Sequence, residues 1–227
     1  MKFDEEFKTF LKNCINPLGI FLSDNELEKF RIYAKELVDW NKKKNLTAIT
    51  DPESIAVLHF ADSLYLSSLI DNKKGTRLID AGSGGGFPGI PLKIARPEIE
   101  ITMIDSSGKK VSFLKYIIRL LGLEKISAIN KRVEDFANEN KDSFDYAVSR
   151  AFTSIDSFFE KTAPCIKPGG RIIAMKGPDC DNEIASMKKK TYFFEGKTIN
   201  GKNIRAEISN YMLPVINHKR KIISLTH

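Results

Sequence analysis

The sequence predicts an α/β protein built on a mostly parallel seven-stranded sheet whose last strand runs antiparallel, with a helical extension in front. Three observations predict it. After Gly75, short apolar runs alternate with helix-patterned stretches, the signature of βαβ units. The first of those runs ends in a glycine-rich loop, the usual ligand position at the carboxyl end of a strand in an open α/β sheet. The last two apolar runs are only a few residues apart, too close for a right-handed crossover, so they pair antiparallel.

The elements follow in order. Residues 1–74 form a helical cap. Phe3, Phe7, Phe10, Leu11, Cys14 and Ile15 recur at helix spacing. Ser23 and Glu26 make a capping box ahead of Leu27, Phe30, Ala34, Leu37 and Val38. Asp51-Pro52 opens a third helix carrying Ile55, Leu58, Ala61, Tyr65 and Leu69. Residues 75–227 form the sheet domain. Its parallel strands are expected at Arg77–Asp80, Glu100–Asp105, Ile126–Asn130, Phe144–Ser149 and Arg171–Met175. The closing pair is expected at Ile208–Leu213 and Lys221–Leu225.

Composition narrows the class. The chain has 227 residues, 42% apolar and 29% charged, enough for a sizeable core and far from a disordered composition. No run reaches the roughly 18 apolar residues of a membrane span. The start, Met1-Lys-Phe-Asp-Glu-Glu6, is acidic and amphipathic, unlike a signal peptide. Three cysteines at wide spacing fit neither a disulfide framework nor a zinc site, and a cytoplasmic protein is expected. The net charge is +7, of which residues 181–227 supply +5, so a polyanionic partner is admissible. No coiled-coil or repeat pattern suggests more than a monomer.

Two ligands fit the glycine loop. Gly84, Gly86 and Gly89 satisfy the dinucleotide fingerprint, which points to a nicotinamide-dependent oxidoreductase. Asp80, Gly82, Gly84 and Gly86 satisfy D-x-G-x-G-x-G, the pattern of class I S-adenosylmethionine (SAM) methyltransferases. Asp105 at the end of the second strand suits the ribose of either cofactor. Asp80 favours SAM, whose ammonium group it meets directly or through water. Lys167-Pro-Gly-Gly170 before the fifth strand and the closing antiparallel pair favour the same fold. A non-catalytic RNA-binding protein with the same fold is the third reading, carried by the basic tail.

Seven separate motifs then occur in order. They are Asn45-Leu-Thr-Ala-Ile-Thr50, His59-Phe-Ala-Asp62-Ser-Leu64, the Asp80–Pro91 loop, Asp105-Ser-Ser-Gly-Lys-Lys-Val-Ser-Phe-Leu114, Arg132-Val-Glu-Asp-Phe136, Ser149-Arg-Ala-Phe152 and Ala174-Met-Lys-Gly177. Together they closely resemble the RsmG (GidB) family, bacterial SAM-dependent methyltransferases of N7 of a guanine in the 530 loop of 16S rRNA. The resemblance covers roughly residues 20–225. It implies a class I fold, SAM as cofactor, and 16S rRNA or the small ribosomal subunit as partner. By the resemblance, Gly82 and Phe87 line the amino-acid end of the cofactor and Asp105 holds the ribose. Val133 and Glu134 meet the adenine. Arg150 lies by cofactor and target base, and Lys176 stands on the same rim. Asn45, His59 and Arg132 join Arg150 and Lys176 in positioning substrate. Two departures are small: Ser106-Ser107 lacks a bulkier second residue, and Gly85 is an added glycine.

The chemistry implied needs no general base, because guanine N7 presents a lone pair and no proton. The task is in-line alignment. Lys42-Lys43-Lys44 reads as a solvated face or a phosphate contact. Pro164-Cys165 precedes the fifth strand and reads as core, and Trp40 as packing.

Overall fold

The computed structural model describes residues 2–71, 73–150, 152, 154–194 and 197–226; Met1 of the start motif and Ala151 of the Ser149–Phe152 motif lie outside them. The cap opens with α1 (Glu5–Ile15), capped by Asp4, and α2 (Asp24–Lys44). The expected capping box holds α2: the Ser23 hydroxyl accepts from Glu26 N at 3.4 Å, and Glu26 accepts from Ser23 N at 2.6 Å. Asn45 ends α2 in the left-handed region, φ 51°.

The third cap helix departs from a regular stripe. It starts as expected, with Asp51 capping α3 (Pro52–Ser54) through Ser54 N at 2.8 Å. The chain then widens into a π-helical segment, Ile55–Ala61, before α4 (Asp62–Leu64) and a 3₁₀ turn over Tyr65–Leu69. Residues 59–64 are all buried, so this stretch has no solvent face. It is pressed between α1 and α2 on one side and the sheet on the other.

The sheet has strand order β3-β2-β1-β4-β5-β9-β8. Its parallel strands are β1 (Arg77–Ala81), β2 (Glu100–Asp105), β3 (Ile126–Asn130), β4 (Phe144–Arg150) and β5 (Ile166–Lys176). The crossovers are α5 (Gly89–Ala95), α6 (Gly108–Leu120), α7 (Val133–Glu139) and α8 (Ile155–Thr162). After α9 (Asp181–Met187) comes a separate hairpin of β6 (Thr191–Phe194) and β7 (Lys197–Asn200). β8 (Arg205–Leu213) and β9 (His218–Thr226) close the sheet, and β9 is antiparallel to both β5 and β8. The fifth strand begins earlier than expected. Ile166 already pairs with Phe144, and the register then shifts across Lys167–Gly170 before Arg171 meets Tyr146. The β6–β7 hairpin has no sequence signal, because neither four-residue run alternates cleanly between basic flanks.

Strand alternation divides the core. Leu78 of β1 joins a cluster with the cap, α5 and α6, whereas Ile79 and Ala81 face α7, α8 and α9 on the other side. Cys165 is fully buried in the second cluster, and Trp40 packs on Phe113 and Tyr116, both as expected. The cap is seated on the loop after β1. Tyr33 of α2 is fully buried and donates its hydroxyl to the Gly85 carbonyl.

That seat explains part of the glycine run. A Cβ on Gly86 would lie 2.6 Å from both the Tyr33 hydroxyl and Ile90 Cδ1, at φ +102°. Gly122, just beyond α6, has φ +59° and nothing within 4 Å. Gly122→Ala is therefore expected to cost about 1 kcal/mol of conformational strain. Gly86→Ala adds overpacking to that strain and is expected to cost about 3 kcal/mol or more. Urea unfolding at unchanged m-value measures both. Equal costs would mean that the cap does not press on the loop.

Candidate functional site

The carboxyl ends of β1 and β4 flank the point where strand order reverses, the usual ligand crevice of such sheets. The glycine loop leaves β1 there. Gly82 N and Ser83 N both donate to the Ile104 carbonyl, at 2.8 and 3.1 Å, which ties the loop to β2. Asp80 lies fully buried at the base of the loop, and its Oδ2 accepts from Gly89 N at 2.9 Å. Its Oδ1 has no partner among the described residues. Burial pushes this carboxyl up to about 7, against the opposing pull of the Gly89 N–H, Ser83 and Arg150.

A cleft of about 380 Å³ opens beside the loop. Gly82, Asp105, Ser106, Val133 and Glu134 line it from β1, β2 and the start of α7. Phe152 and Lys161 close the far wall, and Lys110, Lys131 and Arg132 ring it with positive charge. Gly82 has φ +71°, and a Cβ there would meet the Phe152 ring only in ordinary contact at 3.7 Å, so it is the left-handed backbone rather than crowding that calls for glycine. Asp105 is held in place by Gly84 N on Oδ2 (2.9 Å) and Ser107 N on Oδ1 (2.8 Å). These bonds leave each oxygen further lone pairs for a ligand. Partial burial pushes the Glu134 carboxyl up, but its own backbone N–H, Lys161 at 3.2 Å and Arg132 outweigh that and hold it below the usual range.

The second half of the site is a buried polar knot at the end of β4. Arg150 donates to the Leu58 carbonyl at 2.7 Å and to His59 Nδ1 at 2.8 Å. Its guanidinium lies 4.7 Å over the Phe87 ring and 3.6 Å from Asp62 Oδ2. Arginine has no acceptor, so His59 Nδ1 must carry the lone pair and Nε2 the proton, which it donates to Thr47 Oγ1 at 2.8 Å. Burial first, and the Arg150 charge second, lower the imidazole to about 3 and keep it neutral. The Asp62 carboxylate, 1% exposed, also accepts the Tyr211 hydroxyl at 2.6 Å and faces Arg220 Nε at 3.5 Å.

The structure therefore gathers the sequence-read residues into two groups. Gly82, Asp105, Arg132, Val133 and Glu134 share the cleft. His59, Phe87 and Arg150 share the knot. Phe87 corrects its expected place. Its ring is 5% exposed, lies outside the cleft lining and stacks on His59 at 4.2 Å and Tyr33 at 5.6 Å. Gly84 contributes its N–H to Asp105 rather than a cleft wall. Lys176 ends β5 on the expected rim, but it is only 12% exposed. It is bound to Glu183 at 2.9 Å and reaches the Phe152 carbonyl at 3.4 Å. It holds the wall of the cleft. Asn45 is an exposed cap residue, apart from both groups; the neighbouring Asn41 does the local work, accepting from Leu46 N and Thr47 N. Sequence reading missed Asp62, Tyr33, Lys161, Tyr211 and Arg220. Only Asp62 had a signal, as a charged residue inside an apolar helical stretch.

The family model of rRNA small subunit methyltransferase G (GidB) matches residues 26–212. The chain is 46% identical over 184 residues to the ribosomal RNA small subunit methyltransferase G of Geobacter sp. (strain M21), covering 81% of this chain and 83% of that one. It is 45% identical over 174 residues to the protein of the same name from Desulfitobacterium hafniense (strain Y51), covering 76% and 72%. Its fold resembles an O-methyltransferase from Bacillus cereus solved in complex with SAH, with TM-score 0.59, 14% identity and coverage of 86% and 91%.

The knot has a pH signature. The folded pKa of His59 is depressed below its ordinary 6.5, so its contribution is complete above pH 6.5 and lost as pH falls toward 3. Asp80 is raised, so its contribution runs the other way, lost as pH rises from about 4 to about 7. The two oppose each other in wild type. His59→Gln isolates one of them. Relative to that variant, wild type is expected to lose up to about 1.4 kcal/mol per pH unit between pH 6.5 and 4.5, read by urea unfolding. Parallel pH profiles would mean that His59 is not buried neutral.

Proposed function

The chain belongs to the rRNA small subunit methyltransferase G family, and from that premise we propose that it transfers a methyl group from SAM to N7 of a guanine in the 530 loop of 16S rRNA. The observation that carries the cofactor reading is the cleft over β1, β2 and α7, whose lining joins Gly82 to Asp105, Val133 and Glu134. Asp105 accepts from the ribose hydroxyls. Val133 and Glu134 meet the adenine, one by apolar contact and the other by its carboxylate. The orphaned Oδ1 of buried Asp80 offers a place for the ammonium group, directly or through water. Binding a cation there favours the carboxylate over the protonated acid that burial promotes. When bound, SAM supplies an electrophilic methyl carbon on a sulfonium.

The residues of this chain then have only to align the nucleophile. Guanine N7 carries no proton, so no side chain acts as general base. This agrees with a neutral, fully engaged His59 that has no free nitrogen. Arg150 fixes the edge of the site between the cofactor cleft and the target base. Asp62 offsets its charge, so the guanine ring can gain positive charge beside it. Lys176 acts through the wall it supports.

The experiment is methylation of small-subunit RNA lacking the mark, with labelled SAM, read by strand scission after borohydride and aniline. Label transfer with scission at one 530-loop guanine is expected. No transfer, or NAD(P) binding with no SAM binding in calorimetry, would overturn the reading. Glu134→Ala is expected to weaken SAM binding about tenfold, the loss of one charged hydrogen bond, with kcat at saturating SAM little changed. Unchanged SAM affinity would place the adenine elsewhere.

A further inference from the structure

A second concavity lies on the same rim. Along the carboxyl edge the cofactor cleft occupies the β3-β2-β1 side, and a groove of about 430 Å³ occupies the β5-β9-β8 side, with Arg150 of β4 between them. Pro178, just past β5, lines it together with Asn210, Tyr211 and Met212 of β8 and Lys219, Arg220 and Lys221 of β9. The pairing of Lys176 with Lys221 and of Tyr211 with Arg220 puts this end of the β8–β9 hairpin at the carboxyl end of β5.

The lining joins apolar surface to positive charge. Met212 is 52% exposed and Lys219 is exposed. At the hairpin tip Val215 and Ile216 are exposed too, 66% and 45%. Arg220, in the same lining, turns its buried Nε toward the Asp62 carboxylate at 3.5 Å. Lys221 is paired with Asp181 at 2.8 and 2.9 Å and Arg220 faces Asp62, so Lys219, opposite exposed Met212 across the β8–β9 pair, is the cation the groove offers to solvent beside an apolar side chain. The chemistry that uses both is an unpaired nucleotide, whose base face covers apolar side chains while its phosphate meets lysine or arginine. A duplex would offer phosphates but keep its base faces stacked.

We propose that this groove takes an unpaired nucleotide flanking the target guanine in the rRNA, an inference that rests on the methyltransferase reading above. β4 and β9 are two strands apart, about 10 Å, so a neighbouring nucleotide reaches the groove while the target base lies at Arg150. The Asp62 contacts to Tyr211, Arg220 and Arg150 make one rigid unit of groove wall and target site.

The test is a Lys219→Gln, Met212→Ser double variant, with Lys74→Gln on the opposite edge of the sheet as control. Filter binding to naked 16S rRNA and steady-state methylation of naked rRNA and of small subunits are measured. The double variant is expected to weaken naked-rRNA binding and raise KM for RNA about tenfold, with SAM affinity and kcat unchanged. Its log Kd against log salt slope is expected to fall by about one, and the control to match wild type apart from that charge. Unchanged RNA binding overturns the proposal. So does a defect confined to assembled subunits, which would assign the groove to a ribosomal protein. If wild type transfers no methyl group while the double variant still weakens naked-rRNA binding, the methyltransferase reading falls and the groove stands.

Discussion

A guanidinium buried at the point where strand order reverses has to be satisfied, and the cap supplies most of its partners. Removing Arg150 from water costs several kcal/mol unless its donors are paired. The Leu58 carbonyl, His59 Nδ1, the Asp62 carboxylate and the Phe87 ring supply that pairing, and three of the four come from one stretch of the cap. The consequences spread outward. The cap helix must lie against the sheet, and its turn widens where Leu58 and His59 face Arg150. His59 must stay neutral to accept. Asp62, placed to balance Arg150, in turn recruits Tyr211 and Arg220 from the closing hairpin. The cap, the central strands and the last hairpin thus meet at one charge.

The glycine run is shaped by two demands. Gly82 supplies the left-handed turn at the carboxyl-edge cleft, and Gly84 carries the N–H that fixes Asp105. Gly85, Gly86 and Gly89 answer to the interior. A Cβ at Gly85 would lie 3.1 Å from Phe87 and 3.3 Å from Leu37, and one at Gly89 would lie 2.7 Å from the Asp80 carboxylate. The glycine at position 85, an addition when the loop is read as a cofactor motif alone, is explained by the cap helix packed against it. The same segment therefore couples cap docking to cofactor binding without any shared side chain.

The fold was largely legible. β2 and the edge strand β3 have the expected bounds, and the central strands β1 and β4 run one residue longer, past their apolar runs. β5 was read short, since Lys167-Pro-Gly-Gly170 looks like a turn although Ile166 already pairs. The grouping of the candidate residues is legible where motif and strand end coincide. Asp105, Val133 and Glu134 meet Gly82 in one cleft. It is illegible where partners come from afar or a side chain turns inward. Arg150 and His59 are 91 residues apart, and Tyr211 and Asp62 are 149 apart. Phe87 sits in the cofactor loop but points into the cap, and Lys176 stands on the rim but is claimed by Glu183. No periodicity encodes those directions.

On the proposed function, the carboxyl-edge cleft and the Arg150 knot form one active site. A crystal structure with S-adenosylhomocysteine tests it most directly. The ribose is expected at Asp105, the adenine at Val133 and Glu134, and the sulfur directed toward the β1–β4 boundary beside Arg150, with the cap unmoved. A ligand bound in the β5-β9-β8 groove, or one whose sulfur points away from Arg150, would contradict it.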